Sequence, residues 1–81
     1  MRVFNNIKDF LYDQSYSITY YNNILYVYNY LKIVDFNAIS IRLEMNGFIL
    51  NISGKNLKIT KMENNELNIT GYIESMVFNY D

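Results

Sequence analysis

Acid–base chemistry in this chain of 81 residues would fall to carboxylates, tyrosines and lysines, because the chain contains no His and no Cys. The lack of imidazole excludes a nucleophilic triad with a His base and a His-ligated metal site. The lack of thiols excludes disulfides and thiolate metal sites. Eight acidic residues remain: Asp9, Asp13, Asp35, Glu44, Glu63, Glu66, Glu74 and Asp81. Their spacing matches neither paired acid–base carboxylates nor an EF-hand loop. We therefore predict no enzyme, no catalytic residue, no metal and no cofactor.

Three lysines, Lys55, Lys58 and Lys61, lie close together in the sequence. Side chains alternate between the two faces of a strand, so Lys58 would point away from the other two. The formal net charge is −1, which gives no field to attract nucleic acid. We predict a solvated strand edge whose lysines oppose aggregation, and no nucleic-acid binding.

Tyrosine is the abundant amphipathic side chain, with nine copies in the chain. Tyr26, Tyr28 and Tyr30 recur at every second position, which on a strand places them on one face together with Ile24. Two interpretations stay open: cross-strand packing of aromatic rings, or a contact with a protein partner, where Tyr is enriched. These three tyrosines are the candidate partner surface.

The elements that must position these residues begin with an apolar pattern of helical spacing over residues 2–12, formed by Val3, Phe4, Ile7, Phe10 and Leu11. We predict a short amphipathic helix that docks on its own sheet, or else on a partner or a membrane surface. No apolar run approaches the length of a membrane span, and the N-terminus does not resemble a signal peptide. We expect a cytoplasmic protein.

From residue 16 to residue 80 the pattern changes to strands separated by turn residues. Asn22-Asn23 and Asn46-Gly47 suit tight hairpins. Further turns are predicted at residues 35–37, 53–56, 63–65 and 74–75. The cleanest strand covers residues 38–45, where apolar side chains alternate with polar ones.

The fold predicted for residues 1–81 is a single domain, mainly all-β. It is an antiparallel β-meander of about seven short strands that forms a small sandwich or roll, with the N-terminal helix in addition. A right-handed β-solenoid is the alternative, but the Asn46-Gly47 hairpin favours reversal of the chain. Structural roles at turns or bulges are assigned to the three glycines, which are too far apart for a phosphate-binding loop: Gly47, Gly54 and Gly71.

The same strands carry a family pattern of the form G-x-L-x-I-x-G-x-x-L-x-I followed by x-I-x-G-x-I. It is matched by Gly47, Ile49 or Leu50, Ile52, Gly54, Leu57, Ile59, Ile69, Gly71 and Ile73. On these residues the chain resembles the YabP/YqfC family of sporulation proteins over residues 7–80. Tyr28 and Tyr30 replace an acidic residue and a His that the family usually has there.

The resemblance implies a non-enzymatic protein of the mother cell in endospore-forming bacteria. The first functional hypothesis is a β-rich assembly protein, or an accessory partner of a sporulation membrane protein, with self-association as a further expectation. The alternative is a small ligand-binding module with a groove lined by Tyr26, Tyr28 or Tyr30. An enzyme comes third.

Overall fold

The computed structural model describes residues 16–80, which form one antiparallel sheet of six strands in the order β1-β2-β6-β5-β4-β3. The strands are β1 (Ser17–Tyr21), β2 (Ile24–Tyr28), β3 (Lys32–Phe36), β4 (Ser40–Met45), β5 (Phe48–Glu63) and β6 (Glu66–Tyr80). The predicted antiparallel all-β class is confirmed. The solenoid alternative is wrong, because every strand pair is antiparallel.

The last two strands are far longer than the sequence pattern predicts. β5 has 16 residues and β6 has 15. They pass without a turn through residues 53–56 and 74–75, so the turns predicted there are wrong and the sheet has six strands instead of about seven. At both places the register shifts instead. A β-bulge takes up an extra residue by bending the strand, so it interrupts the apolar alternation without reversing the chain.

Asparagines form most of the tight turns. Asn22-Asn23 joins β1 to β2 and Asn64-Asn65 joins β5 to β6, and all four residues have positive φ. Type I′ hairpin turns require positive φ at both central residues, a conformation that Asn tolerates. At Asn46-Gly47 only the glycine has positive φ, at 98°. The hairpins predicted at these sites are confirmed.

The turn between β3 and β4 lies later than the predicted residues 35–37, because β3 continues through Phe36. Asn37 directs this turn: its side-chain oxygen accepts hydrogen bonds from the backbone amides of Ile39 and Ser40, at 2.9 and 3.0 Å. An Asn side chain that bonds its own downstream backbone is a common local turn device.

The hairpin of β5 and β6 is folded over on itself. The amide of Asn29 donates to the carbonyl of Asn65 at the hairpin tip, and the amide of Leu31 donates to the carbonyl of Glu44, both at 2.8 Å. Glu44 is level with Asn79 in the sheet register. In a flat sheet the strand from Glu66 to Asn79 would span about 43 Å. Asn29 and Leu31 are too close in the chain to bridge that distance, so the tip lies over the base.

Two glycines, Gly54 on β5 and Gly71 on β6, lie where the long hairpin folds over, which we call the fold-over point. An added Cβ on Gly54 would clash with the Tyr72 carbonyl oxygen, and one on Gly71 would lie 2.6 Å from the Asn56 carbonyl oxygen. Gly71 also has a φ of 127°. Only glycine permits so close an approach of the two backbones.

The core consists of eleven buried apolar side chains from β2, β4, β5 and β6 in one cluster. They are Leu25, Val27, Ile41, Leu43, Met45, Phe48, Leu50, Ile52, Leu57, Leu67 and Ile69. Each contributes roughly 1.5–3 kcal/mol by its burial. The helix predicted for residues 2–12 lies outside the described residues. In the described part of the chain no helix is long and apolar enough to cross a membrane.

Candidate interaction surfaces

The first candidate surface is the side of β2 that faces away from the core. Leu25 and Val27 point into the core and have no exposed area, whereas Tyr26 and Tyr28 point to the other side and are half-buried. Across the β2–β6 pair, Tyr26 is opposite Asn68 and Tyr28 is opposite Glu66. We call Tyr26, Tyr28, Glu66 and Asn68 the tyrosine face.

One tyrosine of this face is held by a long-range hydrogen bond. The Tyr26 hydroxyl donates to Oε1 of Glu66 at 2.6 Å, across 40 residues of sequence. This bond to a carboxylate raises the pKa of Tyr26 above its ordinary value of 10.0, with smaller contributions from desolvation and from the negative charge of Glu66. A donor bound to an ionised acceptor makes a short, strong hydrogen bond. The bond therefore restricts the orientation of the Tyr26 side chain.

The tyrosine face also holds unused hydrogen-bonding capacity. The Asn68 side-chain oxygen is buried and has no partner in the described part of the structure. The Tyr28 hydroxyl likewise makes no hydrogen bond to any of residues 16–80. A buried oxygen without a hydrogen bond, such as that of Asn68, lowers the stability of the fold.

Tyr30 does not belong to this face. Asn29 has a φ of 67°, which interrupts the alternation just after β2. Tyr30 lies beyond this kink and packs against the core cluster. The predicted grouping of Tyr30 with Tyr26 and Tyr28 is wrong, because the strand ends before Tyr30 and its parity is lost.

Three surface concavities of the described chain lie elsewhere. One of about 470 Å³ is bordered by the β1–β2 turn and by Thr70, Gly71 and Tyr72. Two others, of about 330 and 480 Å³, border Gly47 and Phe48. None of these three is lined by Tyr26, Tyr28 or Tyr30. Among residues 16–80 no three acidic side chains are grouped so that they could hold a metal ion.

The three lysines follow the outer side of β5 beyond its pairing with β4, which ends at Ser53. Lys55 and Lys58 are exposed, and Lys61 makes a loose ion pair with Glu63 at 3.8 Å. Each of these side chains is solvated. An ion pair between such exposed groups contributes little to stability.

The second candidate surface is the C-terminal half of β6, which the sequence pattern did not single out. Phe48 at the margin of the core contacts the rings of Phe78 and Tyr80, with centroid distances of 5.3 and 5.1 Å. Tyr16 packs edge-on against Phe48 at 5.1 Å. Phe78 nevertheless remains 40% exposed and Tyr80 65% exposed. The sequence signal for this surface is the uncharged run Ser75–Tyr80, which begins at the turn predicted for residues 74–75.

Comparison with protein families gives one match. The family model described as the YabP family covers residues 14–81, which is most of the chain. The chain belongs to the YabP family. This confirms the resemblance found in the sequence pattern, and membership of the YabP family is consistent with a sporulation-related protein. Comparison with curated proteins and with solved structures found no match.

The residues that carry the YabP family pattern are structural. Ile52, Leu57 and Ile69 are core residues, and Gly54 and Gly71 lie at the fold-over point. Gly47 occupies the turn between β4 and β5. The tyrosine face lies outside the matched glycine–isoleucine pattern. In this chain the residues of the pattern therefore serve the fold.

Proposed function

We propose that the chain is a non-enzymatic sporulation protein that acts as a small β-rich assembly protein or as an accessory partner of a sporulation membrane protein. The observation that carries this proposal is the YabP family match over residues 14–81. The fold suits such a role, because its apolar core is filled by side chains and its aromatic residues extend to the surface.

The tyrosine face is the partner surface in this proposal. Tyr26 and Tyr28 offer ring area and hydroxyl groups together, which is the combination enriched in protein interfaces. The bond from Tyr26 to Glu66 reduces the ordering that binding must impose, so less conformational entropy is lost on association.

The proposed site of action is the cytoplasm of the mother cell during spore development. A membrane-bound partner would recruit the protein to the membrane surface through the tyrosine face. Direct attachment to lipid is not part of the proposal, since the formal net charge of −1 offers no attraction to anionic headgroups.

Affinity purification from sporulating cells tests this function. We expect the tagged protein to recover a sporulation membrane protein, and we expect Tyr28→Ala to abolish that recovery. Tyr20→Ala is the matched control, because Tyr20 is an exposed tyrosine on β1 that is opposite Leu25 and so faces the other way. Recovery of neither a membrane protein nor a self-assembled complex would refute the proposal, as would normal spore formation after deletion of the gene.

The alternative, a ligand-binding module, receives no specific support from the tyrosine face. A groove of this kind would need Tyr26, Tyr28 or Tyr30 on its walls. Tyr30 packs against the core instead, and the concavities around Gly71 and Phe48 do not include these tyrosines.

A further inference from the structure

Among residues 16–80, one side of the C-terminal half of β6 has no neighbouring strand. β5 pairs with β6 as far as Tyr80, but β2 covers the other side only from Glu66 to Thr70. Within residues 16–80 no strand pairs with the outer side of Ser75–Tyr80. A strand with an open side presents backbone N–H and C=O groups at alternate residues, which form a template for a further strand.

The other open edges of the sheet are protected in recognisable ways. The part of β5 beyond its pairing with β4, which ends at Ser53, carries Lys55, Lys58 and Lys61. β3 contains a bulge between Ile33 and Asp35. β1 is only 5 residues long. Charges, bulges and short strands are the usual means by which proteins prevent edge-to-edge pairing.

Ser75–Tyr80 has none of these protections. Its sequence Ser-Met-Val-Phe-Asn-Tyr contains no charged residue, no Pro and no Gly, and its pairing with β5 is regular from Ser75 to Tyr80. A short uncharged segment of high β-propensity on an open edge is strongly predisposed to pair with another strand. The contrast with the other edges indicates that this edge is covered in the functional protein.

The side chains of this edge extend the apolar core to the boundary of the sheet. Met76, Phe78 and Tyr80 are opposite Ile52, Leu50 and Phe48 in β5, so they share the core-facing side of the sheet. Their exposed fractions of 37%, 40% and 65% leave this apolar margin open. An added strand would cover the margin as well as the backbone groups.

We propose that a second copy of the chain occupies this edge, with Ser75–Tyr80 of the two copies paired antiparallel about a two-fold axis perpendicular to the sheet. In the register that sets Phe78 opposite the second Phe78, Met76 is opposite the second Tyr80. All three core-facing side chains of each copy then meet apolar side chains on the same face. The product is one continuous sheet of twelve strands, six from each protomer.

A second copy fits better than a partner of different chemistry. The segment carries no charge that would select an acidic or a basic strand, whereas its apolar residues are complementary to themselves under antiparallel pairing. An isologous contact of this kind closes at two subunits and leaves no further unpaired edge on this strand. The arrangement would serve an assembly protein, but it does not depend on the sporulation role.

Single cysteines test the contact and its register, since the chain has no Cys of its own. Residues directly opposite in an antiparallel pair have Cβ atoms about 4.5–5.5 Å apart. We expect Phe78→Cys to form a disulfide-linked dimer under mild oxidation. Val77→Cys should crosslink far less, because Val77 would be opposite Asn79 of the second copy and too far from the second Val77 for a bond. Val34→Cys on β3, with the same 40% exposure as Phe78, is the control for random collision.

Sedimentation equilibrium of the intact chain supplies the second measurement. We expect a dimer whose dissociation constant rises by about tenfold or more in Phe78→Lys, because like charges would face each other across the pair. Val34→Lys should leave it unchanged, and circular dichroism should show that both variants keep the β fold. A monomeric wild-type chain, or equal crosslinking of Phe78→Cys and Val34→Cys, would overturn the self-pairing. Both results are independent of whether a sporulation partner is recovered from cells.

Discussion

The carbonyl oxygens of Asn65 and Glu44 accept hydrogen bonds from two amides, those of Asn29 and Leu31, that are only two residues apart. Two residues of extended chain span about 7 Å, so the two oxygens lie within about 13 Å of each other. Along the sheet register the same two residues are separated by most of the length of β6. The short link between β2 and β3 thus fastens the tip of the long hairpin to its base.

Gly54 should be the most sensitive glycine of the chain. In Gly54→Ala the new methyl group would meet the Tyr72 carbonyl oxygen, and neither backbone can move without disturbing the fold-over. We expect a loss of about 2–4 kcal/mol in the free energy of unfolding, measured by urea titration. Gly47→Ala is the control, because Gly47 has open space around its Cα and a positive φ. It should lose only about 1–2 kcal/mol, from backbone strain alone. Equal losses would contradict the close approach at Gly54.

Asn65 should tolerate glycine but not a β-branched residue. Its φ of 63° lies in the left-handed region, which Gly enters freely and which Val avoids. We expect Asn65→Gly to unfold at nearly the wild-type urea concentration. Asn65→Val should lose about 1–3 kcal/mol of stability. If the two variants were equally stable, the tip conformation described above would be wrong.

The bond from Tyr26 to Glu66 should appear in the dependence of stability on alkaline pH. The pKa of Tyr26 is higher in the folded protein than its ordinary value of 10.0, so the neutral phenol is the form that folding favours. Its contribution is complete below pH 10 and is lost as the pH rises through the raised pKa. We expect Tyr26→Phe to unfold more easily than wild type at pH 8, with the difference shrinking at higher pH.

Tyr28→Phe is the matched control for this measurement, because no hydrogen bond to residues 16–80 engages its hydroxyl. Its stability should equal that of the wild type across the same pH range. Thermal unfolding followed by circular dichroism provides the comparison. A constant difference between wild type and Tyr26→Phe at every pH would count against the bond to Glu66.

Asp35 and Arg42 should give the corresponding effect in acid. Two guanidinium nitrogens of Arg42 donate to the Asp35 carboxylate, the closer pair at 2.5 Å, and this bonding lowers the pKa of Asp35 below its ordinary value of 3.8. The ionised form is therefore favoured by folding. Its contribution is present above pH 3.8 and disappears as the pH falls through the lowered pKa.

The dependence of the free energy of unfolding on acidic pH, which we call the acid limb, tests this ion pair. We expect Asp35→Asn to remove part of the stability difference between pH 5 and pH 2, by a small amount because both side chains are about half exposed. Lys61→Gln is the control, since the Lys61–Glu63 pair is longer at 3.8 Å. An acid limb that Asp35→Asn leaves unchanged would show that the pair does not contribute in solution.

The sheet class, the Asn-rich turns and the core side chains of β4 follow directly from the sequence, because alternation and turn residues are local signals. The length of β5 and β6 does not follow. The bulges near Gly54 and Glu74 break the alternation in the same way as a turn does, and only the partner strand decides between the two. The attachment of β2 to β6 is also beyond local reasoning, since it joins residues about 40 positions apart.

The candidate surfaces, like the fold, could be predicted from the sequence only in part. Alternation correctly puts Tyr26 and Tyr28 on one side of β2, but the left-handed Asn29 moves Tyr30 off that side. Glu66 directly follows the turn predicted at residues 63–65, and nothing in that position predicts that it accepts the hydrogen bond from Tyr26. No spacing rule connects these two residues, because the sheet order places β6 beside β2 only after the whole chain is present.

This strand order has a consequence for synthesis on the ribosome. β6 is the last strand of the described chain to be made, yet it lies between β2 and β5 in the finished sheet. Leu25 and Val27 therefore emerge early and have no sheet partner on the side of β6 until residues 66–70 have been made. Long-range pairing of this kind folds slowly and leaves unpaired strands exposed in the meantime. The nascent chain is consequently exposed to aggregation and to chaperone capture for as long as β6 has not emerged.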